Sequence, residues 1–557
     1  MNRLLTAIFA LLLFSCAPSE TIVVETTVIQ EEAPGLSVGE RPKLVVGITV
    51  DQMKLDYLYR FWNDFSEGGF KRLVGEGTLC SDNHYSFAPT FTGPGHAAIF
   101  SGTTPALNGI IANDWYDREE GMVYCVSDST RRGIGTENKG GKMSPHRLLS
   151  NSIADELVLS NQFASKVIGI SMKDRGAILP AGHRPTAAYW FMGKDEGNFV
   201  SSDYYMERLP KWASDFNAQK KPDDYLAQGW KLLKDPSAYN ESLTDNNPHE
   251  APFPGTARPT FPYDFTRITD DRYDLIKATP HGASISVDFA IAAIEGEGLG
   301  KDDIPDLLAL SFSNTDYAGH QFGPQAMEVQ DTYLRLDLEL ARLLSYLDEN
   351  IGSDAYTVFL TADHGGAAVP SYMKKLGIPG GYWKPQSMLD AVDDAIKGEY
   401  GEGEWVVSYS NDQIFFNPEL MMNNGVEVED LAELVIPVCM EFPEVAYALS
   451  REEFMEQDYD ELPLRNVQRG FHPQRSGDVI VVTLPGYIEY GFTGTTHGSP
   501  YSYDTHVPLI FFGKGVASGK EVRRRTHIRD IAPTVSNILR ITQPTGCTGE
   551  VIHEIFE

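Results

Sequence analysis

Hydrophobic positions along the chain fall into two alternating patterns. Short runs rich in β-branched residues, which we predict to be buried strands, cover 43–50, 165–171, 306–312, 355–362 and 507–512. Apolar residues also recur at helical spacing in 325–349, so this segment is expected to form a helix whose apolar face lies on the sheet. The alternation is typical of βαβ units. It predicts an α/β fold with a mostly parallel central sheet flanked by helices.

Two stretches interrupt this alternation and are predicted to be inserted cap segments. The first runs from 187 to about 279 and is rich in proline, aspartate and aromatic residues, and the second runs from 369 to about 494. We therefore expect a core formed by 42–368 and 495–557, with an insertion at about 187–279, and an inserted cap region at 369–494. No internal repeat is visible.

The composition is that of a globular protein with a strongly acidic charge balance. Hydrophobic residues make up 42% of the 557 positions, and 46 basic against 78 acidic side chains give a net charge of −32. Nucleic-acid binders need a basic footprint, which is missing here, so we expect no nucleic-acid-binding role. An anionic substrate would need a local cationic site, and bound metal ions would provide the positive charge.

The N-terminus carries a targeting signal. Arg3 leads an apolar run over 4–14 that is too short to span a bilayer and lies where a secretory hydrophobic region belongs. The run ends in a Leu-Phe-Ser-Cys sequence that resembles a bacterial lipoprotein cleavage box, although Phe14 is larger than usual there. We expect a signal or lipoprotein peptide over 1–16, with an ordinary signal peptide as the alternative.

A lipidated Cys16 would anchor the protein to a membrane, and the segment 17–41, rich in serine, threonine, glutamate and proline, is predicted to be a tether. The expected location is the periplasm or the outer membrane of a Gram-negative bacterium. The protein is expected to be a monomer.

Four further cysteines remain in the exported chain. An even number in an oxidising compartment favours disulfides, and three pairings are open. We expect Cys80 to pair with Cys125 and Cys439 to pair with Cys547. No CxxC pair occurs, so a thiolate zinc site is not expected.

Candidate chemistry collects where the predicted strands end. Asp51 follows the first strand, Asp316 comes shortly after 306–312, and Asp363 and His364 close 355–362. Because ligands of open α/β sheets bind at the carboxyl ends of the strands, these distant residues are expected to converge.

Two more histidines complete a candidate metal centre. His320 lies four residues after Asp316, within one helical turn, and His497 lies in a Gly-Thr-Thr-His-Gly segment. Mixed carboxylate and imidazole ligands suit zinc, with manganese or iron as alternatives, whereas nitrogen ligands disfavour calcium and magnesium. Three aspartates and three histidines are enough for two ions.

A candidate nucleophile precedes an apolar helix. Thr92 lies in a Pro-Thr-Phe-Thr-Gly-Pro-Gly-His segment, where proline and glycine break the chain just before 97–102. We expect Thr92 at the helix N-terminus, where backbone N–H groups favour an anion such as a phosphoryl group. A nearby dication would stabilise its alkoxide. The alternative role for Thr92 is a helix cap, and His96 is expected to be a buried structural donor.

In their order along the chain, these residues resemble the alkaline phosphatase superfamily, in its phosphodiesterase/nucleotide-pyrophosphatase-like branch and most nearly the monomeric PafA-type alkaline phosphatases. The resemblance implies two zinc ions per chain, with Thr92 between them and facing the second. It assigns one ion to Asp316, His320 and His497, and the other to Asp51, Asp363 and His364.

The same resemblance implies a substrate class. Asn113 matches an asparagine that binds a phosphoryl oxygen, and Lys173 and Arg175 match a Lys-x-Arg pair of the monoesterases that the diesterases lack. Two cations can bind the extra charged oxygen of a monoester dianion. We therefore expect a zinc-dependent alkaline phosphatase that releases inorganic phosphate from phosphate monoesters through a phosphothreonine at Thr92.

Other functions stay open. A phosphodiesterase or nucleotide pyrophosphatase would keep Thr92 and the metals but would not use the Lys-x-Arg pair. A sulfatase is disfavoured because the Cys/Ser-x-Pro-x-Arg motif is missing, and a cytosolic phosphoglycerate mutase conflicts with the export signal. A non-catalytic surface lipoprotein that binds phosphate or metal is the remaining class.

Overall fold

The computed structural model describes residues 41–556. The predicted signal peptide, Cys16 and the predicted tether up to residue 40 lie outside these residues. Within 41–556, no helix combines the length and the apolar character that a membrane span requires.

The strands are, in chain order, β1 Leu44–Val50, β2 Thr78–Cys80, β3 Asn83–His84, β4 Asp114–Asp117, β5 Gly121–Tyr124, β6 Gly133–Ile134, β7 Val167–Ser171, β8 Ala187–Met192, β9 Asn198–Ser202, β10 Asp306–Phe312, β11 Tyr356–Thr361, β12 Gly381–Tyr382, β13 Val406–Ser410, β14 Gln413–Phe416, β15 Val445–Ser450, β16 Val479–Thr483, β17 Tyr487–Ile488, β18 Leu509–Gly513, β19 Lys520–Val522 and β20 Thr526–His527.

The α-helices are α1 Asp56–Arg60, α2 Phe70–Glu76, α3 Thr92–Ser101, α4 Pro105–Asn108, α5 Ile153–Ser160, α6 Asp174–Ala181, α7 Lys211–Ala218, α8 Lys221–Gln228, α9 His281–Glu297, α10 Asn314–Phe322, α11 Met327–Asn350, α12 Pro370–Lys375, α13 Gln386–Tyr400, α14 Pro418–Asn424, α15 Val428–Cys439, α16 Arg451–Glu456, α17 Leu464–Gly470, α18 Ser502–Thr505 and α19 Ile531–Leu539. Short 3-10 turns lie at Trp62–Asp64, Lys139–Gly141, Pro236–Ala238, Arg272–Ala278, Ile528–Asp530 and His553–Phe556.

A ten-stranded sheet forms the centre of the molecule, in the order β19-β2-β18-β11-β1-β10-β7-β8-β9-β6. The five consecutive strands from β11 to β8 are parallel, while β18 and β9 pair antiparallel with the strands beside them. All seven residues of β1 and of β10 are buried. This matches their continuous apolar sequences, because a parallel strand covered by helices on both faces has no side that meets water.

The predicted strands and the predicted helix are confirmed. β10 has the predicted bounds. The ends of β1, β7, β11 and β18 differ from prediction by one or two residues, and α11 begins two residues after and ends one residue after the predicted helix. The α/β fold with a mostly parallel central sheet is therefore confirmed.

The segment predicted to be an insertion at about 187–279 needs a correction at its start. β8 and β9 belong to the main sheet, with β8 parallel to β7 and β9 antiparallel to β8. Their apolar sequences run directly into a chain rich in proline and aspartate, so the sequence pattern does not separate the two. Strands β8 and β9 are therefore part of the sheet, and only the chain beyond residue 202 lies outside it.

The second interrupting segment, 369–494, has a sheet and a core of its own. Its strands form an antiparallel sheet in the order β13-β14-β16-β15. Side chains from α13, α15, this sheet and the residue before β13, among them Met388, Leu431 and Trp405, pack into a hydrophobic cluster distinct from the main one. We call 369–494 the cap; its boundaries as a domain stay a prediction.

The expected disulfides are wrong. Cys80, Cys125, Cys439 and Cys547 are all free. Cys80 lies in the main hydrophobic cluster, Cys125 in a second cluster and Cys439 in the cluster of the cap. Because each of these three thiols is buried in a different core, they do not meet, and burial raises the pKa of the Cys80 and Cys439 thiols to about 12.

Candidate active site

Four neighbouring strands of the sheet deliver the candidate residues to one edge. In the order β11, β1, β10 and β7, their carboxyl ends lead to Asp363, Asp51, Asp316 and Lys173. The register aligns Val50 of β1 with Phe312 of β10, so both chains leave the sheet at the same level. The predicted convergence at the carboxyl ends of the strands is thus observed.

Three aspartates and one lysine form the centre of the site. Lys173 Nζ lies 2.7 Å from Asp51 Oδ2 and 2.6 Å from Asp316 Oδ2. Asp51 and Asp363 are fully buried, and Lys173 and Asp316 are nearly so. Three buried carboxylates around one ammonium leave an excess of negative charge, which favours the binding of further cations.

Three imidazoles surround this centre, and each is oriented by a main-chain carbonyl. The ring nitrogen Nδ1 donates to the carbonyl oxygen of another residue, at 2.7 Å for His320 to Thr495, 2.9 Å for His364 to Gly365 and 2.7 Å for His497 to Thr90. Since a carbonyl oxygen only accepts, the proton of each neutral ring is on Nδ1. The Nε2 lone pair is therefore free to bind a metal ion.

The donor atoms fall into two groups that fit divalent cations. One ligand atom each from Asp316, His320 and His497 lie within 4.8 Å of one another, and the same holds for Asp51, Asp316 and His364. The first group is the predicted one. In the second, Asp316 takes the place predicted for Asp363, whose Oδ2 lies 3.5 Å from His364 Nε2.

Unpartnered buried atoms support the same fit. Both carboxylate oxygens of Asp51, Oδ2 of Asp363 and Nε2 of His364 accept no hydrogen bond. Asp51 Oδ2 is close to Lys173 Nζ, as described above, but the contact lacks hydrogen-bond geometry. Buried polar atoms normally have partners, so a set of unpartnered donors suited to metals indicates a divalent metal cofactor.

Burial and charge shift the acid–base equilibria of these groups. Burial and the neighbouring Asp363 raise the pKa of Asp51 well above its usual range, and burial raises the pKa of Asp363 to about 6. Burial lowers the pKa of His497 to about 3. Burial alone would raise the pKa of Asp316, but His320 and Lys173 hold it well below its usual value. The carboxylates therefore repel one another, and His497 is neutral and ready to bind a cation.

Thr92 lies at the start of α3, as predicted. Its side chain is 1% exposed, and its Oγ1 accepts a hydrogen bond from Lys173 Nζ at 3.2 Å. A Cβ atom at Gly95 would clash with the main chain of Asp363, so glycine is what allows the helix to approach the centre. His96 is buried and bridges Thr92 O and Ser311 Oγ, which fits the structural role expected for it.

The two remaining predicted residues are Asn113 and Arg175. Asn113 Oδ1 accepts the N–H of Gly93 at 2.8 Å, which leaves its amide NH2 group available as a donor. Arg175 Nη1 donates to the hydroxyl of Tyr124 at 2.9 Å. Lys173 thus contacts Thr92 directly, whereas Arg175 contacts Tyr124.

One buried residue was missed by the sequence interpretation. Gln52 Nε2 donates to Asp316 Oδ1 at 2.6 Å, and Gln52 N donates to Asp363 Oδ1 at 3.2 Å. Gln52 therefore ties together carboxylates that follow two different strands. Its only signal in the sequence is its position directly after Asp51. Its backbone has a φ of 61°, which cannot be predicted from a glutamine.

A second missed contact holds the arginine. Tyr124 donates a hydrogen bond to Asp174, so that Tyr124, Asp174 and Arg175 form one network. Tyr124 ends β5, about fifty positions earlier in the chain, and nothing in the local sequence relates the two segments.

Comparison with known proteins places this site in a family. The model of the type I phosphodiesterase / nucleotide pyrophosphatase family matches residues 45–504. The chain belongs to this family. The matched range begins in β1 and extends beyond His497, so it contains every candidate site residue.

Several relatives are similar in sequence to this member of the phosphodiesterase/nucleotide-pyrophosphatase family over nearly its full length. Alkaline phosphatase PafA of Elizabethkingia meningoseptica is 41% identical over 520 residues, which cover 93% of this chain and 95% of that protein. A Myroides odoratus protein named calcium-transporting ATPase is 42% identical over 524 residues, with 93% and 95% coverage. The crystal structure of wild-type PafA superposes with a TM-score of 0.89 at 40% identity and covers 93% of this chain and 99% of that one.

Proposed function

We propose that the protein is a zinc-dependent alkaline phosphatase that hydrolyses phosphate monoesters through a phosphothreonine formed on Thr92. The observation that carries the proposal is the 3.2 Å contact between Lys173 Nζ and Thr92 Oγ1 within a cluster of carboxylates and imidazoles. A buried hydroxyl at a helix N-terminus, next to a cation, is suited to attack an anionic phosphoryl group. The relative named alkaline phosphatase, at 41% identity, supports the same activity.

Two Zn²⁺ ions are part of the proposal. Asp316, His320 and His497 would hold one, and Asp51, Asp363 and His364 the other, with Thr92 between the two groups. Carboxylate oxygens and imidazole nitrogens are preferred zinc ligands. When bound, the ions would supply Lewis acidity, which lowers the pKa of a coordinated hydroxyl and offsets charge on phosphoryl oxygens.

The covalent steps take place on Thr92. Its Oγ1 gives its proton to solvent and attacks phosphorus, the bond from phosphorus to the alcohol oxygen breaks, and the departing oxygen takes a proton from solvent, so that the alcohol leaves. A water molecule then attacks phosphorus from the vacated side, which releases inorganic phosphate and restores the hydroxyl. The main-chain N–H groups at the start of α3 orient the phosphoryl group for both displacements.

Three side chains are proposed to bind the phosphoryl oxygens. The free NH2 group of Asn113 donates to one oxygen, while Lys173 and Arg175 neutralise the additional charge of a monoester dianion. Lys173 is shared with Asp51 and Asp316 in the structure. Cations among these carboxylates would neutralise them, so the ammonium would be available for phosphate. A diester carries one charge fewer and gains less from this pair.

The N-terminal sequence supports export. We include in the proposal that a signal peptide over 1–16 directs the chain to the periplasm or, with Cys16 lipidated, to the outer membrane, where it acts as a monomer. Palmitate labelling of Cys16→Ala beside the unaltered chain tests the anchor, since only the unaltered chain should incorporate lipid.

Elemental analysis combined with matched kinetics tests the proposed activity. The purified protein should contain two zinc atoms per chain and should hydrolyse an aryl phosphate with a higher kcat/KM than the corresponding methyl aryl phosphate. A preference for the diester would instead identify a phosphodiesterase. Folded protein without any transition metal, or without activity on either ester after zinc is added, would contradict both enzymatic functions.

A further inference from the structure

A cavity of about 230 Å³ lies between the core and the cap and adjoins the candidate active site. On the core side it is lined by Phe91, which directly precedes Thr92, and by the candidate ligand His497. The two rings contact each other edge to face, with centroids 5.5 Å apart. A group attached to a phosphate at Thr92 could therefore enter this cavity without crossing the core.

Two acids on the cap side of the cavity are unusual because they have no cationic partner. Asp412, in the turn between β13 and β14, and Glu489, just after β17, both line the cavity. No salt bridge involves either carboxylate in the described chain, 41–556. Burial raises the pKa of Asp412, and burial together with Asp412 raises the pKa of Glu489. Two carboxylates facing one cavity disfavour each other until a cation enters.

The rest of the lining suits an organic cation better than a sugar or a nucleotide. Trp383, Phe91 and Phe471 provide aromatic and apolar surface, and among the described residues that line the cavity none is a lysine or arginine. Aromatic faces beside carboxylates attract alkylammonium groups. An anionic leaving group would meet only like charges there. The volume, below the roughly 300–1,000 Å³ of drug-sized sites, fits a small group.

Hydrogen bonds hold the carboxylate of Asp412 in place. The hydroxyl of Tyr409 donates to Asp412 Oδ1 at 2.8 Å, and Trp383 Nε1 lies 3.3 Å from the same hydroxyl. Tyr409 thus connects Trp383 to Asp412. The second carboxylate oxygen of Asp412, Oδ2, remains available as an acceptor.

We propose that this cavity receives the leaving group of the substrate and selects phosphate monoesters whose alcohol carries an alkylammonium group, with Asp412 and Glu489 as the counter-charges. The inference rests on the proposed phosphomonoesterase function and specifies its substrate class.

Phosphocholine and its uncharged carbon analogue, 3,3-dimethylbutyl phosphate, test this selectivity. The two have nearly the same shape and differ in the positive charge. The ammonium also makes the choline oxygen a better leaving group. The decisive quantity is therefore the ratio of kcat/KM for phosphocholine to kcat/KM for the uncharged ester, compared between the unaltered enzyme and Asp412→Asn/Glu489→Gln. We expect this ratio to fall about tenfold, with hydrolysis of the uncharged ester maintained. Asparagine tolerates the positive φ of 57° at position 412, so this change preserves the turn.

A control variant and a binding measurement complete the test. Asp458→Asn/Glu461→Gln removes the same charges at two exposed positions of the cap and should leave the ratio unchanged. Calorimetry with choline itself should show binding that is about tenfold weaker in Asp412→Asn/Glu489→Gln. An unchanged ratio, or choline binding equal in both proteins, would overturn the inference. If the unaltered protein binds choline but does not hydrolyse an aryl phosphate, the proposed function is contradicted, whereas the cation site is not.

Discussion

The acidic side chains of the core and those lining the cavity of the cap differ in their partners. In the core, Asp51, Asp316 and Asp363 are buried, follow neighbouring strands and are surrounded by Lys173, imidazoles and main-chain donors. In the cap, Asp412 and Glu489 face a cavity without a cationic partner among residues 41–556. The core acids are thus fixed by the sheet, whereas the cap acids sit in connections between short strands.

This difference predicts that core residues determine the reaction, whereas cap residues determine which substrates are preferred. A shift of one core carboxylate would disturb its neighbours on adjacent strands, because their positions are set by the register of the sheet. A substitution in a connection of the cap changes the cavity wall and leaves the register intact. We therefore expect core variants to affect all substrates and cap variants to affect some.

The largest effect is expected for Thr92→Ala. In the proposed reaction this hydroxyl accepts the phosphoryl group, so without it kcat for aryl phosphates should fall about 10³-fold or more. Acid quenching with labelled substrate should trap phosphothreonine in the unaltered enzyme and none in the variant. Thr92→Ser should retain measurable turnover and yield phosphoserine. Near-normal activity of Thr92→Ala with unchanged zinc content would remove Thr92 from the reaction.

The next largest effect is expected for Lys173→Ala combined with Arg175→Ala. Loss of both cations should lower kcat/KM for an aryl phosphate by about 10²-fold or more, and for the methyl aryl phosphate much less, because only the dianion loses a charge partner. Lys277→Ala is a suitable control, since Lys277 lies near the ring of Tyr317, as Lys173 does, but pairs with Asp274. Equal losses on both esters would mean that the two cations only support the fold of the site.

A smaller effect is expected for Gln52→Ala, which removes the contact with Asp316. Partners that orient metal ligands typically contribute about 10–100-fold in metal affinity, and a loss of this size should appear in competition with a chelator. Gln52→Asn tolerates the positive φ but is too short for the contact, so it should weaken metal binding in the same way. If Gln52→Asn binds zinc normally, backbone strain rather than the lost contact explains the alanine variant.

The smallest effect on turnover is expected for Trp405→Ala in the cap. Trp405 is 1% exposed and donates to Gly401 O, and its removal should cost the cap about 3–5 kcal/mol of local stability. Hydrogen exchange in α13 and α15 should accelerate, while β1 stays protected and aryl phosphate turnover changes by less than about twofold. Equal loss of protection in β1 would show that the core and the cap unfold together.

The core was largely predictable from the sequence because its chemistry depends on short-range features. An acid directly after a buried run, such as Asp51 or Asp363, is placed by the strand that precedes it, and Thr92 is placed by the proline and glycine around it. Convergence then follows from a general property of parallel sheets. None of these inferences required knowledge of which distant side chains touch.

Contacts between distant segments were not predictable. Gln52 acquires its role from the turn it makes, Tyr124 reaches Arg175 from a separate hairpin, and Asp412 and Glu489 reach the same cavity from separate segments of the cap. The disulfide expectation failed for a related reason. The compartment suggested oxidation, but pairing depends on distance, and Cys80, Cys125 and Cys439 lie in separate cores.

The three carbonyl contacts of the imidazoles have a consequence for how a metal-depleted enzyme behaves. His320, His364 and His497 are aimed by the main chain itself, so their rotational freedom is lost when the chain folds and not when an ion arrives. Dialysed enzyme should therefore regain its ions at a rate set by diffusion and dehydration, with no refolding phase. Its circular dichroism should hardly change as the metal returns.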